Sequence, residues 1–357
     1  MKSILNLKNA LLLPALIVLF FSAYAQLDKN KKYQVATVAF YNLENLFDTI
    51  IDPDTNLILR EDFTPDAPKH WNSKRYWEKM ERMADVISQI GTEVNPAGPQ
   101  ILGVAEIENI NVLKDLSKQP KLKKMHYGIV HYDSPDHRGI DVGLFYDSLR
   151  FKVLYSRPYR LKIPEDSSFT TRDLLYVKGV LDNADTLHFI VAHWPSRRGG
   201  QKRSEPKRIA AAQLSRSVID SIMKTNPEAK VILMGDLNDD PNNKSMTKYL
   251  KAREHKEDAI NGALFNPMIG FYKKGIGTLA YRDNWNLFDQ FVLTPGLLKE
   301  DYSSYRYFKA NVFNKEFLKQ QEGAFKGYPK RTYVGTNYLG GYSDHFPVYL
   351  FLIKEQQ

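Results

Sequence analysis

Eight short runs of apolar, largely β-branched residues constrain this chain more than any other feature: 35–41, 100–105, 140–146, 174–181, 187–192, 230–234, 288–293 and 348–353. Most are nearly continuous in apolar side chains instead of alternating with polar ones. That is the pattern of strands covered on both faces. Amphipathic stretches lie between them. One spans 73–90, with Tyr76, Met80, Met83, Ile87 and Ile90 at helical spacing, and another spans 206–224. The aromatic and methionine stripe reads as a face turned to the core, not as a cofactor site. No fixed-period repeat, low-complexity tract or long Pro/Gly/Ser linker divides the chain, so residues 26–357 are expected to form a single α/β domain with two packed sheets. Segments 265–277 and 302–338, rich in Gly, Tyr, Phe and Lys, read as long surface loops of the kind that carry binding functions.

With no cysteine, neither disulfides nor a lipidated cysteine is available, and stability must come from the core. The first residues carry Lys2 and Lys8, an apolar stretch from Ala10 to Phe21, and Ala23-Tyr24-Ala25 before Gln26. This reads as a signal peptide over 1–25, implying export to the periplasm or the medium. A membrane anchor is the alternative, but the run falls short of the roughly 20 apolar residues that span a bilayer, and Pro14 interrupts it. The formal charge is +9, and 9 − 2 = +7 once Lys2 and Lys8 leave. A basic surface favours polyanions such as nucleic acid, anionic headgroups or wall polymers. Simple solubility explains the charge equally well.

Chemistry enters where the apolar runs stop. Asn42, Glu106 and His193 each follow a run, as do Asp236 and Asn238; Asp289 precedes Phe291-Val292-Leu293, and Asp344-His345 precede Phe346-Pro347-Val348. Any one of these could be a turn residue placed for backbone reasons. Their recurrence at successive strand ends calls for a common cause.

Taken in order, Tyr41-Asn42-Leu43, Ala105-Glu106, Ala192-His193, Gly235-Asp236-Leu237-Asn238, Asp289-Gln290-Phe291-Val292-Leu293 and Ser343-Asp344-His345-Phe346-Pro347 resemble the ordered motifs of the endonuclease/exonuclease/phosphatase superfamily. The resemblance spans residues 35–352. It implies a four-layer α/β/β/α sandwich with two mainly antiparallel sheets, and a metal-dependent hydrolase of phosphodiesters. The residue types suit that chemistry. A hard cation such as Mg²⁺, with Mn²⁺ or Ca²⁺ as substitutes, takes oxygen ligands and needs only one or two carboxylates beside the substrate phosphate. Glu106 is the first candidate ligand, with Asn42 and Asp344 completing or orienting the shell. No Cys and no His-x-x-x-His pattern supports zinc.

By resemblance, Asp236 positions and deprotonates the attacking water and Asn238 holds the phosphate or the nucleophile. One residue separates them, which on a continuing strand would put both on one face. His345 resembles the histidine that contacts the scissile phosphate, and Asp289 its carboxylate partner, which would fix the tautomer and raise the imidazole pKa. His193 resembles a second histidine of the deoxyribonuclease and sphingomyelinase branches. Arg138, Arg172 and Arg197 are candidate phosphate binders, since a guanidinium matches phosphate bidentately; surface solvation is the alternative for Arg138 and Arg172.

The basic, glycine-containing loop after His193, Trp194-Pro195-Ser196-Arg197-Arg198-Gly199-Gly200, resembles bacterial extracellular nucleases. Together with the charge it points to DNA or RNA as substrate, acted on by a monomer without stable membrane insertion. The rival is a sphingomyelinase-like phospholipid phosphodiesterase, for which residues 270–277 could supply an interface-entering hairpin. A non-catalytic polyanion-binding module is the reading from outside the enzymes. Retention of Glu106, Asp236 and His345 argues against it.

Overall fold

The computed structural model describes residues 27–28, 30–259 and 262–356; the signal peptide expected at 1–25 lies outside them. In chain order the strands are β1 (Tyr33–Leu46), β2 (Ile101–Ile107), β3 (Tyr127–His131), β4 (Asp141–Asp147), β5 (Phe151–Tyr159), β6 (Leu174–Leu181), β7 (Asp185–His193), β8 (Lys230–Asp236), β9 (Ala252–Arg253) and β10 (Leu264–Phe265). They continue with β11 (Leu279–Tyr281), β12 (Asn284–Asn286), β13 (Asp289–Leu293), β14 (Arg306–Val312), β15 (Tyr333–Val334), β16 (Asn337–Tyr338) and β17 (Val348–Glu355). The α-helices are α1 (Ser73–Ile87), α2 (Ile110–Ser117), α3 (Gln201–Thr225) and α4 (Ile269–Lys273).

Two large sheets dominate. One has the order β14-β17-β1-β2-β4-β3, the other β5-β6-β7-β8-β13-β10-β9. Most pairings are antiparallel; β1 with β2, β7 with β8 and β9 with β10 run parallel. Three buried apolar clusters show how the layers stack. Met80, Met83 and Ile87 of α1 and Val112 and Leu116 of α2 pack on Ala39, Tyr41 and Leu102. Val38 and Phe40 of the first sheet meet Phe189, Val191, Ile232, Met234 and Phe291 of the second. On the far side Ala211, Ala212, Val218 and Ile219 of α3 cover Ile190, Ala192, Val231 and Leu233. Neighbouring residues of one strand therefore feed different clusters. Strands such as β1 and β8 are greasy on both sides because both sides are covered.

The structure adds elements that the sequence did not reveal, among them α2, β3 and the short strands β15 and β16 inside the expected 302–338 loop. β5 and β14 were not anticipated: β5 is an edge strand with a largely uncovered face, exposing Leu154 and Tyr155, and β14 lies inside the segment expected to be a loop. Helix α3 begins at Gln201, with Pro206 inside it and not at its start. Residues 265–277 are not a free loop either. They contain the end of β10 and all of α4, with Phe271 and Tyr272 partly buried against the inter-sheet core.

Candidate active site

Strand parity and register carry most of the site. Even-numbered Ala36, Val38 and Phe40 of β1 face the inter-sheet core, and so do Phe189 and Val191, Ile232 and Met234, and Phe291 and Leu293. Continuing each alternation by one step brings Asn42, His193, Asp236 and Asp289 to the same interface at one rim of the sandwich. The ladders align them: His193 stands opposite Asp236, and Asp236 opposite Asp289. Gly235 makes the alignment possible, since a Cβ there would lie 2.0 Å from the Ala192 carbonyl oxygen. Glu106 has the wrong parity for this interface. A register shift between Ala105 and Ile107, with Glu106 at φ +60°, turns its side chain inward. Glu44, Asn45 and Asn238 also sit at positive φ (50°, 48° and 50°), so the rim concentrates backbone strain.

Asp236 is the hub. Its Oδ2 accepts a hydrogen bond from Asn42 Nδ2 at 3.1 Å, and lies 3.5 Å from His193 Nε2 and 3.9 Å from His345 Nε2. His345 presents Nδ1 to Asp289 Oδ2 at 2.7 Å. The Ser343-Asp344-His345 segment is pinned to β1, because Ser343 Oγ donates to the Asn42 carbonyl (2.7 Å) and accepts from the His345 amide (3.1 Å). β8 ends at Asp236, so the shared strand face expected for Asp236 and Asn238 does not exist. Asn238 instead follows a turn; its amide N–H donates to Asp236 Oδ1 and its Nδ2 to the Trp194 carbonyl, both at 3.0 Å.

The electrostatics separate the groups by role. Burial pushes the Asp236 carboxyl up to about 7, opposed by His345 and reinforced by Asp289. Burial alone would depress His345, but Asp289, Asp236 and Asp344 together hold it well above its ordinary value, as an imidazolium. His193 goes the other way: burial, and then Arg172, drive it well below, so it is neutral. Glu106 is ionised. Its burial is outweighed by Arg138, through charge and hydrogen bond, and it sits at about 2.

Arg138, a candidate from the sequence, and Arg331, Glu44 and Lys79, which the sequence did not single out, complete the rim. Arg138 Nη1 donates to Glu106 Oε1 at 3.1 Å and its Nη2 to Asn45 Oδ1, while Arg331 pairs with Asp344 and lies 3.6 Å from Glu44 Oε1. Against burial, His345 and Arg331 lower the Asp344 pKa. Glu44 also accepts from the Thr332 amide (2.6 Å) and faces the fully buried Lys79 at 3.9 Å. Burial and Asp344 bring Glu44 to about 7, with Lys79 opposing. One signal was legible: Lys79 is a cation on the apolar stripe of α1, which a buried lysine occupies only with partners.

Of the three arginines, Arg138 alone reaches the carboxylate rim. Arg172 is buried, donating to Asp136 Oδ2 (2.9 Å) and the Trp194 carbonyl (2.6 Å). Arg197 stacks over Phe288 at 4.3 Å, and donates to the Asn238 carbonyl (2.9 Å), Asp240 (3.1 Å) and Asn243 (2.9 Å). It braces the turn that carries Asn238. Beside Asp344 and Arg331 a cleft of about 1330 Å³ opens, walled by residues 197–201, the β11–β12 hairpin and residues 320–329.

A hard cation suits the donor set. Glu106, Asp344 and Asn42 offer oxygen atoms, with Glu106 ionised, and Asp289 Oδ1 is buried without a hydrogen-bond partner. Asp236, Asp289 and His345 also converge closely enough to be read as a metal cluster. There, however, the 2.7 Å hydrogen bond already matches imidazolium to carboxylate.

A model of the endonuclease/exonuclease/phosphatase family matches residues 37–354. The chain belongs to that family. It is therefore a divalent-metal-dependent hydrolase of phosphoester bonds. Among solved structures, TDP2 of Caenorhabditis elegans has a similar fold (TM-score 0.52, 15% identity, covering 89% of this chain and 97% of that one). So has D. rerio TDP2 complexed with a single-strand DNA product (0.53, 13%, 89% and 99%). A family protein from Bacteroides thetaiotaomicron is comparable (0.51, 14%, 91% and 100%). At these identities the likeness is one of fold. No curated protein matches the chain in sequence.

Proposed function

We propose that this member of the family is an exported nuclease that hydrolyses DNA or RNA by in-line attack of water. The observation that carries the catalytic part is the gathering of Asn42, His193 and His345 within 4 Å of one carboxylate oxygen, Asp236 Oδ2. Asp236, with its pKa near neutrality, accepts the proton of the attacking water. Asn42 and Asn238 fix its two oxygens, and His345, charged and oriented by Asp289, offsets negative charge growing on the phosphoryl oxygens. Neutral His193 donates toward the same oxygens. Glu106 and Asp344, with Asn42, would hold the cation, Mg²⁺ in the first instance, which when bound polarises the phosphoryl group and screens its charge. Arg138 and Arg331, already seated on the metal-side carboxylates, reach the phosphate more readily than Arg172 or Arg197.

Nucleic acid is favoured by the net positive charge, 9 − 2 = +7 once Lys2 and Lys8 leave, by the basic residues at the cleft and by the DNA product bound to the D. rerio relative. The phospholipid reading is weaker, because Phe271 and Tyr272 are tucked against the core and leave residues 270–277 without an apolar tip. Among the described residues no helix is long and apolar enough to cross a membrane. Export rests on the first 25 residues of the sequence alone. The test is incubation of the purified protein with plasmid DNA, structured RNA and sphingomyelin vesicles, with Mg²⁺ and then with chelator, beside Asp236→Ala. Metal- and Asp236-dependent cleavage of nucleic acid supports the proposal. Lipid hydrolysis alone transfers the reading to the rival, and silence on all three refutes catalysis on these substrates.

A further inference from the structure

The cleft beside Asp344 has two properties that the chemistry of the rim does not use. Its walls carry large aromatic side chains that the fold leaves uncovered: Tyr281 is 62% and Phe325 is 52% exposed. Interleaved with them are two guanidinium groups, Arg198 and Arg282, that form no ion pair among the described residues; Arg282 lies over the Tyr281 ring at 5.2 Å. Most other arginines near the site, Arg138, Arg172, Arg197 and Arg331, are engaged by carboxylates. The wall is also held in shape. Tyr328 donates to Asp283 Oδ1 at 2.5 Å and accepts from the Asp283 amide at 2.7 Å, tying residues 320–329 to the β11–β12 hairpin, while Trp285 stacks on Phe346 at 6.0 Å next to His345.

Exposed ring faces lose free energy to water unless something flat and apolar covers them, and free arginines at the same surface call for anions. A ligand that offers planar faces and regularly spaced phosphates satisfies both. Paired bases in a duplex are already stacked on one another and cannot cover protein rings without being opened. The volume, about 1330 Å³, exceeds the roughly 300–1,000 Å³ of ordinary small-ligand pockets, so a chain fits better than a single small molecule. Resting on the nuclease reading above, we infer that this cleft is a base-stacking subsite for single-stranded nucleic acid. Unpaired bases lie on Tyr281 and Phe325, Arg198 and Arg282 hold the phosphates between them, and the strand leads to the scissile bond at Asp344–His345. The enzyme therefore prefers an unpaired strand to a duplex.

The experiment compares steady-state cleavage of a short unstructured DNA oligonucleotide with that of the same sequence as a blunt duplex, in the full-length protein with Mg²⁺. The wild type should show the lower KM on the single strand. Tyr281→Ala and Phe325→Ala should each raise that KM by about tenfold, from the usual worth of one stacked base, and Tyr281→Trp should restore it. Tyr155→Ala, which removes an aromatic residue half exposed on β5, away from the cleft, should leave it unaltered. Equal KM values on the two substrates, or unchanged values in both alanine variants, overturn the subsite while leaving the nuclease reading intact. If the alanine variants instead raise the KM for sphingomyelin vesicles, and the wild type cleaves no oligonucleotide, the rings serve a lipid surface and both readings fall. Circular dichroism melts of the variants separate lost binding from lost folding.

Discussion

Replacing Asp289 by Asn changes one charge and little else. Asp289 is fully buried, and its Oδ2 faces His345 Nδ1 at 2.7 Å. An asparagine keeps an acceptor at the same place with nearly the same volume. What it loses is the difference between a hydrogen bond to a charged group, about 1.5–3 kcal/mol, and a neutral one, about 0.5–1.5 kcal/mol. That removes roughly 1–1.5 kcal/mol from the imidazolium form, or about one pKa unit. Asp236 and Asp344 still face Nε2 at 3.9 and 4.0 Å, so His345 should stay partly charged near neutral pH. Where the pH lies above both midpoints the lost charge costs up to about tenfold in kcat, and less at lower pH. If the amide turns its NH₂ toward the ring and imposes the wrong tautomer, the loss approaches the about 10²–10⁴ that a positioned acid or base supplies. The KM should move little, because the substrate touches the ring and not Asp289. The assay is kcat and KM against pH, alongside an NMR titration of the His345 ring. The downward shift in its midpoint should track the kcat loss. A variant with wild-type kcat and an unmoved midpoint would refute the claim that Asp289 sets the state of His345.

Glu106→Gln removes the carboxylate that Arg138 keeps ionised; the Mg²⁺ concentration for half-maximal activity should rise at least about tenfold, and an unchanged metal titration would remove Glu106 from the ligand set. Gly235→Ala forces a methyl group against the Ala192 carbonyl at 2.0 Å. It should destabilise by about 1–3 kcal/mol or more in a denaturant melt, with a wild-type midpoint contradicting the tight β7–β8 approach. His188 is buried beside the Tyr176 hydroxyl (2.8 Å), and burial, followed by Lys178, holds its pKa at about 4, against the 6.5 of an ordinary histidine. The unfolded chain thus binds a proton from about pH 6.5 downward that the folded chain refuses until about 4. Stability should fall by up to about 2 kcal/mol across that window after screening. In His188→Phe that part of the acid limb should flatten; a limb as steep as the wild type's would assign the effect to other groups.

The parts of this protein that were legible in its sequence are those where one residue's neighbours are fixed by periodicity. A run such as 230–234 is apolar throughout because β8 lies between α3 and the opposing sheet, and the polar group two residues on must then emerge at the rim. Where an element has a wet face, the signal fades. β5 carries exposed Leu154 and Tyr155 among polar residues, and its edge position, not its composition, makes it a strand. Glu106 was found for its chemical type and its order in the chain, yet parity alone would have sent it into the helix-facing cluster; only the shifted register at φ +60° brings it to Asp236's side.

The arginines mark a different boundary. Arg172 and Arg197 lie in the right part of the chain to meet phosphate, but their partners, Asp136 and Asp239-Asp240, are 36 to 43 residues away in sequence. Charge complementarity of that kind is invisible until the chain folds. The same holds for Glu44, Lys79 and Arg331, which are brought together from β1, α1 and the segment before β15. A buried cation costs several kcal/mol unless it is paired, so this group binds the strained turn after Asn42 to the loop that carries Asp344. The metal-side carboxylates are thus held from behind by a polar network whose members lie far apart in the chain. Loosening Lys79 should therefore disturb Glu44 and Asp344 together, although the lysine itself touches neither the cation's donors nor the cleft.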